Sequence, residues 1–306
     1  MTSVVAPIDP VYRKESRLVW GLGYRMTGSA SEADDILQET FARALQHRPS
    51  NDRDLRPWLI SVAVNLGRDA LRRRRRLAYV GPWLPSPVDD EREALLEGTP
   101  DFLLERREGA TYAFLVALEV LTPQQRAVLL LRDVIERSVA ETAAALGLTE
   151  VSVKVTHHRA RARLNAREPK GDGLPRGEET LAALTRFVTA LSTGDSVALV
   201  ACMTEGVTVM TDGGGEYMAA LKPVRGADRA ARFFLGLRRK LGYDGRFEIR
   251  AVNGAPTLVA ELGTPFPRAA PRWLLSFEVL ADGRIKELRL VAASAKLTHV
   301  RSIATT

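Results

Sequence analysis

Over the first quarter of the chain, apolar residues recur every three to four positions, the spacing that puts them on one face of a helix. Leu18, Val19, Leu22 and Met26 form the first such stripe, and Gly28 is expected to close that helix. Ser31 is expected to cap the next, whose stripe is Ile36, Leu37, Phe41, Ala44 and Leu45. His47 to Leu55 contains Pro49, Ser50, Asn51 and Asp52 and reads as a loop. A third, longer stripe follows in Trp58, Leu59, Val62, Ala63, Leu66 and Ala70, and runs into the arginines Arg72 to Arg76. The pattern predicts a helical bundle over residues 8–77.

From Tyr79 to about Gly109 the periodicity breaks. Gly81, Pro82, Pro85 and Pro87 oppose regular structure, so residues 78–109 read as a linker. Helical spacing returns with Phe114, Leu115, Leu118 and Leu121. Thr122-Pro123-Gln124-Gln125 and Ser138-Val139-Ala140-Glu141 both have the form of a capping box. A second helical module is expected over 110–167, and a polar, glycine- and proline-rich linker over 168–177. The remainder, 178–300, changes character. Helices are expected at about Glu178 to Leu191 and Ala227 to Leu241. Strands are expected at Val207–Thr211, Arg246–Val252, Thr257–Leu262, Trp273–Leu280 and Arg284–Leu290. Asn253-Gly254 and Asp282-Gly283 sit between such runs as hairpin turns. The fold class is therefore multidomain: two all-α modules followed by an α+β domain with a mostly antiparallel sheet.

Residues Ser138 to Leu164 carry the most specific chemistry, a helix-turn-helix. Ala143 is small where two helices must approach. Gly147 stands where the turn needs a positive φ, and Val153 is the apolar anchor of the second helix. Val153, His157, Ala160 and Leu164 share an inward face, on which His157 is expected as a satisfied boundary residue. Ser152, Lys154, Val155, His158, Arg159 and Arg161 lie outside that stripe, where a recognition helix meets DNA.

The first module has two polar faces. Asp34, Asp35, Gln38 and Glu39 gather opposite the stripe of the second helix; alone, they also fit a solvated surface. Asn65, Arg68 and Arg72 share a face of the third helix. Composition adds a little. The 306 residues exceed one small domain, and a net charge of +7 favours a polyanionic partner. The lone Cys202 excludes an internal disulfide framework, and four histidines with one cysteine form no metal constellation. No signal-like segment or membrane-length apolar run stands out, so a cytoplasmic protein without membrane contact is expected.

Asp35-Ile36-Leu37-Gln38-Glu39-Thr40-Phe41 resembles the polymerase-binding helix in region 2 of sigma-70 family proteins. Trp58 to Asn65, with Asp69 and Arg72, resembles the promoter-melting part of that region, and Pro123 to Leu164 resembles region 4. Two such modules joined by a short linker resemble the extracytoplasmic-function (ECF) sigma factors. The tail is similar to the SnoaL-like, NTF2-type cone of one branch. That branch's linker motif stands here as Trp83-Leu84-Pro85-Ser86-Pro87 and its glycine motif as Asp212-Gly213-Gly214-Gly215. Ser86 and Glu216 depart from the branch, where an acidic and a basic residue are expected. Ala292 to Leu297 replaces an Asn-Pro-Asp-Lys-Leu stretch.

The resemblance implies partners and roles. Asp35, Gln38 and Glu39 would bind core RNA polymerase. The loop Arg48 to Asp54 with Asn65 would hold an extruded base of the minus-ten element, and Arg68 and Arg72 would hold phosphates. Ser152, Lys154, Val155, His158, Arg159 and Arg161 would meet the minus-thirty-five element of promoter DNA. Trp83, Pro85, Asp212, Gly213, Gly214 and Gly215 would carry interdomain regulation, through docking of the tail on the sigma modules or their linker. No cofactor is implied.

Two other functions compete. A one-site transcriptional regulator explains the helix-turn-helix but gives the first module's polar faces no purpose. An enzyme is conceivable because NTF2-type cones have a pocket for a small-molecule ligand, and Asp195, Asp212 and Tyr217 are acid-base candidates. No histidine or clear carboxylate pair accompanies them, so a non-catalytic regulatory domain is the expectation.

Overall fold

The computed structural model describes residues 8–46, 55–77, 79–89, 112–166, 177–241, 244–263 and 268–304. They fall into two compact units, each built around its own core.

The first unit is helical. Helix α1 (Ile8–Thr27) ends where Gly28 takes φ 67° and its N–H returns to the Tyr24 carbonyl, 2.6 Å away. Helix α2 (Ala30–Gln46) begins one residue before the expected cap. Ser29, not Ser31, accepts from the Glu32 N–H, because the chain turns immediately after Gly28. Helix α3 spans Arg56–Arg76. Val19, Ile36, Phe41, Ala44, Leu55, Leu59 and Ala63 form the core of this bundle. A Cβ at Gly67 would lie 2.7 Å from Met26 Cβ, so α1 and α3 approach as closely as they do only because position 67 has no side chain.

Helices α4 (Tyr112–Leu118) and α5 (Pro123–Leu129) lead into a π turn at Leu130–Val134. Helices α6 (Val139–Leu146) and α7 (Glu150–Asn165) complete the helix-turn-helix. Both expected capping boxes form: Thr122 with Gln125, and Ser138 with Glu141. The two helical modules share a core. Leu22, Met26, Ile60, Val64 and Leu71 pack with Leu118, Leu121, Leu129, Leu130, Leu146 and Val153. Each such side chain withdrawn from water contributes roughly 1.5–3 kcal/mol.

The second unit is the α+β domain. Helices α8 (Gly177–Thr193), α9 (Ser196–Ala201) and α10 (Ala227–Leu241) pack on one sheet. Its strands are β1 (Met203–Asp212), β2 (Val224–Arg225), β3 (Gly245–Val252), β4 (Ala255–Leu262), β5 (Arg272–Val279) and β6 (Ile285–Val291), in the order β2-β1-β6-β5-β4-β3. Pairing is antiparallel except between β1 and β6. Between β1 and β3 the chain passes through β2 and helix α10 before the antiparallel meander β3-β4-β5-β6 returns it to the side of β1. The β3–β4 turn has Asn253 and Gly254 at φ 50° and 75°, the left-handed pair a two-residue hairpin requires. Phe187 fills the space between helices and sheet, edge-on to Phe234 and Phe277. Asp195 caps α9, accepting from the Val197 and Ala198 N–H groups. Among the described residues no helix is long and apolar enough to cross a membrane, and no group of side chains has the makings of a metal site.

Residues Tyr79 to Asp89, on the linker side of the sequence, also belong to this unit. Asp89 forms a bridge with Val252 at the end of β3, and Val88 exchanges hydrogen bonds with Asn253.

Candidate polymerase and nucleic-acid interfaces

The helix-turn-helix forms around its anchor. Val153 and Ala160 are fully buried, Ala143 nearly so, and Gly147 adopts φ 63° at the end of α6. Lys154, Val155, His158, Arg159 and Arg161 are exposed on α7, and Ser152 is half-buried near its start. His157 sits at the boundary, its Nε2 2.7 Å from Asp133 Oδ1. Arg161 Nε donates to the other Asp133 oxygen at 2.9 Å, which raises the guanidinium's pKa. Sequence reasoning missed Asp133, because the π turn that aims it at α7 has no periodic signature.

On α2, Asp35, Gln38 and Glu39 are exposed, and Glu39 pairs with Arg43 one turn on. Asp34 differs from them in accepting from Trp20 Nε1 at 2.8 Å within the bundle. Arg72 is exposed and paired with Asp69. Asn65 and Arg68 are half-buried and engaged. Asn65 Nδ2 donates to the Ala145 carbonyl at 2.9 Å, and Arg68 Nη1 to the Leu146 carbonyl at 3.3 Å. Burial lowers the Arg68 pKa. The loop Arg48 to Asp54, expected to help hold a flipped base, lies outside the described residues.

The motif residues of the second unit meet at one carboxylate. Asp212, at the end of β1, is 1% exposed. It accepts from the Tyr79 hydroxyl at 2.5 Å, the Leu84 N–H at 2.8 Å, the Gly214 N–H at 3.0 Å and Lys296 Nζ at 2.6 Å. Lys296 also donates to the Leu84 carbonyl at 2.5 Å and lies 4.0 Å from the Trp83 ring centre and 4.8 Å from that of Tyr79. The glycines let neighbouring segments come close. A Cβ on Gly214 would lie 2.8 Å from Ala293 Cβ, and one on Gly215 would lie 3.4 Å from a Val80 methyl. Gly213 turns the chain, its carbonyl accepting from Glu216 and Tyr217. Pro85 is buried, and its carbonyl accepts from the Tyr112 hydroxyl at 2.9 Å.

Two departures from the branch pattern meet in space. Glu216 accepts from the Ser294 N–H and hydroxyl, and Tyr217 shares the same hydroxyl. The hydrogen bond from Tyr217, and those from Ser294, lower the Glu216 pKa.

Sigma-70 region 2 matches residues 11–77 and sigma-70 region 4 matches residues 112–164. The ECF RNA polymerase sigma factor SigJ of Mycobacterium tuberculosis is 34% identical over 239 residues, covering 76% of this chain and 74% of SigJ. The chain belongs to the ECF sigma factors. Its α1–α3 bundle is region 2, its α4–α7 module is region 4, and as a sigma factor it works with RNA polymerase on promoter DNA. The SigG sigma factor of M. tuberculosis is 36% identical over 219 residues, covering 64% of this chain and 59% of SigG. The crystal structure of M. tuberculosis SigJ superposes with a TM-score of 0.73 at 27% identity, covering 95% of this chain and 98% of that one. The likeness to SigJ thus extends through the sheet-containing C-terminal domain expected for a SnoaL-like, NTF2-type extension.

Proposed function

We propose that this ECF sigma factor docks on core polymerase through Asp35, Gln38 and Glu39. It reads the minus-ten element with Asn65, Arg68 and Arg72, and the minus-thirty-five element with the exposed face of α7. The C-terminal domain regulates both steps by gripping the chain that joins regions 2 and 4. The observation that carries this is the Asp212 carboxylate, which takes hydrogen bonds from Tyr79 and Leu84 of the linker within a buried ion pair to Lys296.

Several features support a grip rather than a passing contact. The prolines around Trp83 restrict the segment before it docks, so less entropy is lost on binding. Tethering in one chain supplies an effective concentration on the order of millimolar for short linkers. The grip has a second point, because Asp89 of the linker pairs with Arg250 and accepts from the Arg301 N–H. Tyr112, first residue of α4, is a third, held by Pro85 and lying 5.9 Å from the Arg289 guanidinium. Holding both ends of the linker on one domain limits how far apart regions 2 and 4 can stand, and hence which promoter spacings they can span.

The regulatory reading is favoured over catalysis. Asp195 is occupied as a helix cap, Asp212 in the grip, and Tyr217 on Ser294. The test is transcription by Asp212→Asn with purified core polymerase, which should shift activity in the same direction as removal of the domain.

A further inference from the structure

The basic side chains of α7 are not held alike. Among the described residues, Lys154 and Arg159 have no hydrogen-bond or ion-pair partner, and Arg163 donates to the Gln125 amide oxygen at 3.0 Å. Arg161 alone of these four is given a carboxylate, its Nε donating to Asp133 Oδ2 at 2.9 Å. Asp133 Oδ1 lies 2.7 Å from His157 Nε2. His157 and Arg161 stand one helical turn apart, so a single carboxylate spans both.

The π turn fixes that carboxylate. Leu130 and Leu131 are buried in the core. The Ile135 N–H returns to the Leu130 carbonyl at 2.9 Å and the Arg137 N–H to the Leu131 carbonyl at 2.8 Å. Both bonds close wider loops than an α-helix does, so the chain bulges between them and carries Asp133 to α7. The Asp133 and His157 side chains are 22% and 21% exposed, and that of Arg161 is 62% exposed. An ion pair with so exposed a member adds little to stability. Its effect is on the guanidinium. With Nε held, the plane of the group is set, and neither Nη nitrogen has a partner among the described residues. Those nitrogens form a rigid fork that matches two phosphate oxygens. Arg161 lies towards the C-terminal end of α7, beyond the N-terminal residues that reach base edges, so its fork suits the DNA backbone.

We propose that Asp133 is a positioning residue that sets specificity for the minus-thirty-five element. It holds Arg161 so that the fork meets one phosphate when α7 is seated in register. The inference rests on the assignment of α7 to that element. The carboxylate acts twice in the same sense. On the cognate site the guanidinium is already ordered, so binding loses less side-chain entropy. On other DNA the negative charge of Asp133 offsets one positive charge and weakens the sequence-independent attraction.

The test uses holoenzyme assembled from core polymerase and the full chain. Its DNA is a pair of duplexes that end between the two promoter elements, so melting contributes nothing. One carries the upstream element of a promoter mapped by run-off transcription, the other a scrambled version, and fluorescence anisotropy gives the affinity ratio. Asp133→Asn, checked for folding by circular dichroism, should bind the scrambled duplex more tightly. It should lower the ratio roughly two- to tenfold, the entropy of ordering one long side chain. Arg161→Ala should reduce the slope of log affinity against log salt by about 0.9, the release expected for one phosphate. In that background Asp133→Asn should leave the ratio alone.

His157→Leu separates positioning from packing, because it removes the second group on the carboxylate and puts an apolar side chain on the inward stripe. The loss of ratio caused by Asp133→Asn should persist in the His157→Leu background. Its disappearance there would reduce Asp133 to a partner for His157 and overturn the proposal. An unchanged ratio in Asp133→Asn, with a lowered one in Arg159→Ala, would refute the role of Asp133 and leave the assignment of α7 standing. Wild-type holoenzyme that fails to distinguish the two duplexes would refute both.

Discussion

The Tyr79 hydroxyl and the Asp212 carboxylate, 133 positions apart in sequence, meet at 2.5 Å. Asp212 is buried there with Lys296, so its charge is balanced within the protein rather than by water. Removing one member of a buried pair strands the other, at a cost of roughly 3–5 kcal/mol. Asp212→Asn should therefore destabilise the C-terminal domain by about that much. It should also speed hydrogen exchange at the Leu84 amide. Asp212→Asn combined with Lys296→Met should recover part of the loss. A thermal-melt double-mutant cycle measures this, and additive losses would count against the pair.

Gly214 has φ 63°, and its missing side chain leaves room for Ala293. Gly214→Ala should cost at least about 1 kcal/mol from the left-handed backbone alone. Gly214→Asp and Trp83→Ala disturb opposite sides of one contact, so both should move promoter-dependent transcription in the same direction. Opposite effects in run-off assays would separate the glycine motif from the linker.

Regions 2 and 4 should divide their work. Arg159→Ala should weaken upstream binding by about 1–3 kcal/mol if the guanidinium makes a bidentate base contact. Asn65→Ala should spare initial binding and impair melting, because an extruded base exists only after opening. Footprinting closed and open complexes tells the two apart; equal loss at both steps in both variants would contradict the division.

Acid should loosen the helix-turn-helix through its capping box. Hydrogen bonds from Ser138, and a further one from Arg137, hold the Glu141 carboxyl at about 2, against an ordinary value of 4.5. A depressed carboxylate contributes stability above its unfolded pKa and loses it as pH falls from about 4.5 towards 2. The difference in melting temperature between wild type and Glu141→Gln should be present at pH 7 and shrink through that window. A difference independent of pH would place its origin outside the charge.

Locally encoded features were legible in the sequence. The capping boxes at Thr122 and Ser138, the left-handed Gly147 and α10 at Ala227–Leu241 all stand where spacing predicts. The shift from Ser31 to Ser29 is the scale of error a tight turn introduces. Long-range pairings were not legible. Lys296 reaches Leu84 across 212 positions, and Asn65 reaches Ala145 across 80, with nothing in either neighbourhood to announce it. Asp212 is expected among the regulatory residues with its three glycines, but nothing in the run announces that its carboxylate takes hydrogen bonds from Tyr79, Leu84, Gly214 and Lys296. The parallel β1–β6 pairing also escaped notice, since strand periodicity does not encode direction.

The measurement closest to the central claim is run-off transcription with purified core polymerase. It compares the full chain, a chain ending near Lys170, and full-length Asp212→Asn. The account predicts a discrete promoter-dependent start site with the full chain, and an altered yield from the other two in a common direction. Wild-type yield from Asp212→Asn alongside an altered yield from the truncated chain would contradict regulation through the linker grip. Absence of any promoter-dependent transcript would contradict the promoter-directing role itself.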